Sequence, residues 1–130
     1  MRNDLILWLS LLIVGFLIGF VPQYSRAHRF EQEVATSTAQ LETCQLRDEA
    51  TLMYLEAMQR NYGTSGDDAN RFFDQAQRLA NSTKDVALHN VLQQILGLRD
   101  QITSDLAKGN AAVVSEMVPL LSKVEQGTRR

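Results

Sequence analysis

Few side chains in this chain are of the types that do chemistry, and their spacing is poor for it. His28 and His89, the two histidines, lie 61 positions apart, so no HxxxH or HExxH pair sets two imidazoles on one helix face to hold zinc. Cys44 is the single cysteine. One thiol closes no intrachain disulfide, and with two histidines it falls short of the four ligands of a structural zinc site. Both histidines read as solvated or packed helix residues, and Cys44, on an apolar seam, as a small core residue. Asp67, Asp68 and Asp74 form a carboxylate group that could be read as a cation site. It lacks the alternating oxygen ligands and central glycine of a calcium loop, and capping of a helix start, where carboxylates meet the positive helix end, is the better reading. Gly63 and Gly66 flank that start without the lysine of a phosphate loop. No GxSxG elbow singles out a nucleophile. The expectation is a non-enzymatic protein with no cofactor and no metal.

The elements that would carry these residues divide the chain sharply. Its 130 residues allow one small domain, and 13 basic against 15 acidic side chains give a net charge of −2, no pull on polyanions. Nucleic acid is therefore not an expected partner. Residues 5–21 read LILWLSLLIVGFLIGFV, uncharged throughout. Such a segment, roughly 25 Å long as a helix, is a transmembrane span at the short limit. Trp8 and Tyr24 would sit at the two membrane interfaces. A cleavable signal is the rival, with Pro22 breaking the helix before Ser25-Arg26-Ala27. The apolar stretch is longer than a signal core usually is, which favours an uncleaved signal-anchor. Positive charges on the two flanks, Arg2 and the free amine against Arg26 and Arg29, nearly balance. The ordinary signal-anchor layout then puts the trailing domain on the extracytoplasmic side. Gly15 and Gly19 form a GxxxG spacing on one face of the span, a surface on which another membrane helix could pack closely.

Beyond the span the sequence is rich in Ala, Leu, Gln, Glu and Arg and has no alternating strand pattern, so the fold class is all-α. Phe30, Val34, Leu41, Cys44, Leu55, Met58 and Tyr62 step at three-four spacing along a helix expected from about Arg26 to Asn61, interrupted by Ser37, Asp48 and Thr51. Tyr62-Gly63-Thr64-Ser65-Gly66 is the expected turn. Ser65 with Asp68 then makes a capping box for a second helix near Asp67, with Ala69, Phe73, Ala76 and Ala80 on its apolar face. That phase continues through Ala87, Val91, Ile95, Leu98 and Ile102, which favours one helix to about Lys108. Ser82 with Asp85 repeats the capping pattern and offers the alternative, a new helix. Gly97 reads as a site of close helix contact rather than an end. Lys108-Gly109-Asn110 ends the helix, and Val113, Val114, Met117, Leu120, Leu121 and Val124 define the last one, with a kink expected at Pro119 and a frayed tail at 127–130.

The expected architecture is a single N-terminal transmembrane helix followed by an antiparallel three- or four-helix bundle built on a long helical hairpin. Residues 1–24 would be the anchor and 25–126 the bundle. Tyr54, Tyr62, Phe72 and Phe73 cluster near one hairpin end, as core packing or as a partner-binding tip. Anchor plus helices supply position and reach without a reactive centre. The function expected is scaffolding or assembly of a membrane-associated complex, through a protein partner or self-association, by an accessory subunit or adaptor. The alternative is a membrane-anchored helical sensor or small-ligand-binding bundle.

Overall fold

The computed structural model describes the backbone of residues 2–129 and the side chains of 6–16 and 30–129. Five helices make up the fold: α1 (Arg2–Met58), α2 (Tyr62–Ser82), α3 (Val86–Leu96), α4 (Arg99–Ala107) and α5 (Val113–Thr128). No strand occurs among the described residues. The chain divides into two compact units, Met1–Ala39 and Gln40–Arg130.

The first unit is a stretch of α1 alone. The helix runs through Pro22, where a break was expected; a helix can carry a proline for the loss of one backbone hydrogen bond. Ile6, Leu7, Trp8, Leu9, Leu11, Leu12, Ile13, Val14 and Phe16 are all exposed. Among the described residues no helix is long and apolar enough to cross a membrane. The described side chains of the expected span are those of 6–16. Tyr24 and Gly19 lie outside the described side chains.

The second unit is a helical bundle with one apolar core. Leu46, Ala50, Met53 and Ala57 bring the end of α1 into it, Phe72, Phe73, Ala76 and Leu79 bring α2, and Leu92, Ile95, Ile102, Leu106, Met117 and Leu120 bring α3 to α5. Within the bundle α2 packs on α3 and α4, and α5 packs on the same two helices. The expected hairpin of two long helices is thus replaced by the end of α1 and four shorter helices.

Each break has a local cause. Arg60 adopts a left-handed φ of 61°, its N–H donates to the Ala57 carbonyl at 3.0 Å, and the Asn61 N–H donates to Glu56 O at 2.9 Å. This is a Schellman end, and it stops α1 three residues before the glycine turn that was expected to do so. With Asn61 already leading into α2, Gly63, Ser65 and Gly66 become helix interior rather than turn and cap. Thr83 and Asp85 are extended, and one Asp85 carboxylate oxygen accepts from the N–H groups of Ala87 (2.8 Å) and Leu88 (3.3 Å). The alternative with a new helix after Ser82 is the observed one, capped by Asp85 rather than Ser82. Gly97 and Leu98 form a turn that separates α3 from α4, contrary to the continuous helix expected there. Gly109, at φ 64°, repeats the Schellman end for α4, with its N–H on Leu106 O at 3.0 Å and that of Asn110 on Asp105 O at 2.9 Å. The tail expected to fray is helical to Thr128, and a Cβ added at Gly127 would lie 3.0 Å from a Val91 methyl.

Candidate interaction face

The last turns of α1 carry two apolar stripes of opposite fate. Leu46, Ala50, Met53 and Ala57 step by four, three and four residues and are buried. At 3.6 residues per turn the seam read from the sequence lies roughly on the other side of the helix. Its members on α1 in the compact unit are exposed: Leu41 by 59%, Leu55 by 44% and Met58 by 54%, with Leu52 beside them at 51% and Cys44 also exposed. In the first unit Phe30 and Val34 are exposed as well. The expectation that Cys44 is a core residue is therefore corrected, and so is the role of the seam, of which only Tyr62, on α2, packs against the core. Its slot is taken by the stripe that pairs with α2.

The side of α1 that meets α2 holds the polar interior of the unit. Buried Ser65 donates its hydroxyl to the Met53 carbonyl across 2.8 Å, tying α2 to α1 where a larger side chain would hold the backbones apart. Asp68, buried on α2, pairs with the exposed Arg71. Half-buried Glu49 faces them from α1, and its Oε2 is buried with no hydrogen-bond partner. Loss of water around that carboxylate raises its pKa above 4.5, Arg71 and Arg78 pull it back down, and Asp68 adds to the rise. No sequence motif marks Glu49; its position beside Ala50 on the buried stripe is the one signal that could have found it.

Most of the other residues expected at sites fall inside the packing. Phe72 and Phe73 are fully buried, their rings in edge contact with centroids 5.0 Å apart, and Tyr54 and Tyr62 lean half-buried on the same core. Phe72 and Phe73 are therefore core residues. Arg99 sits 5.9 Å over the Phe73 ring and pairs with Asp74 at 2.9 Å. His89 places Nδ1 2.9 Å from the Ala80 carbonyl, closing the end of α2 as a packed residue. No group of three metal-ligating side chains occurs among the described residues. Gly63, Gly66, Asn70, Thr103 and Lys108 line an open cleft of about 460 Å³ between the start of α2 and the end of α4. In the first unit Trp8 is 76% exposed, and a Cβ at Gly15 would meet nothing within 4 Å. The feature with unspent binding capacity is the exposed face of α1. No family model matches this chain, and no curated protein or solved structure matches it either.

Proposed function

We propose that the chain is a non-enzymatic, single-pass membrane protein: residues 5–21 anchor it and the helical bundle scaffolds or assembles a membrane-associated complex as an accessory subunit or adaptor. The observation that carries this reading is the unbroken apolar run from Leu5 to Val21, of which nine large side chains between Ile6 and Phe16 stand exposed. Moving those side chains from water into lipid is worth on the order of 10 kcal/mol, and a helix satisfies its own backbone within a bilayer. Trp8 fits the headgroup level at one end and Tyr24 at the other, while Gly15 and Gly19 give a neighbouring helix room to approach. The bundle is expected on the extracytoplasmic side.

The scaffold reading draws on the bundle itself. Its buried polar groups Ser65 and Asp68 are engaged inside the chain, and most of its exposed large apolar side chains, Leu41, Leu52, Leu55 and Met58, lie along α1. Purification of the full chain from membranes in mild detergent tests it. Recovery with a stoichiometric partner, or as a defined self-assembly, supports the reading; recovery as a lone monomer counts against it. The cleft between α2 and α4 favours a second reading, a ligand-binding bundle, and a monomer whose melting shifts with a small molecule would speak for that one.

A further inference from the structure

The compact unit uses one side of its α1 segment and leaves the other bare. The α1 residues of the core are Leu46, Ala50, Met53 and Ala57, α2 ties to that helix through Ser65 and the Met53 carbonyl, and the opposite stripe, Leu41, Cys44, Leu55 and Met58, is exposed. We propose that this stripe is the seam of a parallel, in-register coiled coil with a second copy of the chain. Positions 41, 44, 48, 51, 55 and 58 alternate steps of three and four, the 3.5-residue repeat that keeps a seam facing a second helix over several turns. Leu41, Asp48 and Leu55 take the a positions of the heptad and Cys44, Thr51 and Met58 the d positions. In the sequence, Val34 and Phe30 keep the same register.

Charge fixes the occupant and its direction. Asp48 is the one charged residue on the seam between Leu41 and Met58. In a parallel pair, a knob at this a position enters a hole bounded by the other copy's Cys44, Arg47, Asp48 and Thr51. Each Asp48 then lies beside the other copy's Arg47, and the two symmetry-related pairs offset the meeting of the carboxylates. The antiparallel pairing that sets Asp48 against Cys44 brings the two copies' Arg47 side chains together and leaves each Asp48 without a cation. Within one chain, and among the described residues, neither Arg47 nor Asp48 forms an ion pair; the Arg47 guanidinium rests 3.4 Å from the Cys44 sulfur. The polar layers at Asp48 and Thr51 lower affinity, and the charged one sets register. Shared insertion in one bilayer also makes two copies run the same way, a clause that rests on the anchor reading above; the charge argument does not.

Mild oxidation of the full chain in membranes tests the pairing. Cys44 faces its twin across the two-fold axis and should give a disulfide-linked dimer that a thiol reductant reverses. The double variant Cys44→Ser with Met58→Cys moves the thiol two heptads along. A parallel seam captures that dimer equally, whereas the antiparallel alternative holds the two thiols about 36 Å apart. Cys44→Ser with exposed Gln93→Cys gives the yield from random collision. Asp48→Arg should cut the Cys44 dimer about tenfold, and the exchange Arg47→Asp with Asp48→Arg should restore it. Collision-level yield at both seam positions, capture at Cys44 without capture at position 58, or indifference to Asp48→Arg would overturn the proposal. A chain found outside the membrane fraction would defeat the anchor reading alone, since the same cross-link is read in that fraction.

Discussion

Single residues hold this bundle in conformations with measurable consequences. Arg60 adopts the left-handed φ that ends α1, a region where a Cβ costs about 1 kcal/mol that glycine does not incur. Arg60→Gly should therefore stabilise the chain by up to about 1 kcal/mol in urea unfolding, and a loss of stability would show that the arginine side chain matters more than the backbone. Glu49 gives a second prediction. Its pKa is raised in the folded state, so folding binds a proton more tightly than the unfolded chain does. The group's contribution is most favourable below the unfolded value, near 4.5, and is lost as pH rises through the folded value. Glu49→Gln removes the charged form altogether. The variant should be more stable than the parent at neutral pH, with the gap closing on acidification toward pH 4.5; a gap independent of pH would mean the carboxylate is not titrating in the fold.

Helix starts and stops, more than helix faces, separate what the sequence discloses from what it hides. Apolar periodicity disclosed α5 and the core face of α2, because Met117, Leu120 and Val124, like Phe73 and Ala76, are buried as their spacing requires. On α1 it disclosed a real stripe and misassigned its partner. Two three-four series run along that helix, and spacing alone does not say which one the rest of the chain covers. The ends were harder still. A Schellman stop at an arginine carries no glycine signal, so Gly63 and Gly66 looked like the turn. Where α2 yields to α3, the cap was half-read, and it is Asp85 that closes the two free N–H groups. Asp85→Ala should cost about 1 kcal/mol in thermal or chemical unfolding, and an unchanged midpoint would mean the break at Thr83 is held by packing instead. In the apolar segment of α1, Gly15→Ile or Gly19→Ile should weaken association between copies or with a membrane partner while the bundle keeps its helical spectrum. Equal cross-linking of both variants and the parent in membranes would leave assembly to the exposed face beyond residue 40.

Whole-molecule behaviour follows from the division at Ala39. Among the described residues every member of the apolar core lies at or beyond Leu46, so the fragment Gln40–Arg130 holds that core and should fold alone with a helical circular-dichroism spectrum and a cooperative melt. An unfolded fragment would mean that a second copy or another partner completes the core. Ahead of Gln40, α1 carries exposed apolar side chains from Ile6 to Phe16, and the use proposed for them is anchoring in a bilayer. Alkaline carbonate extraction of membranes from cells expressing the full chain, beside the same extraction of Gln40–Arg130, tests this most directly. The full chain is expected in the membrane pellet and the fragment, folded, in the supernatant; a full chain released with the fragment would contradict anchoring.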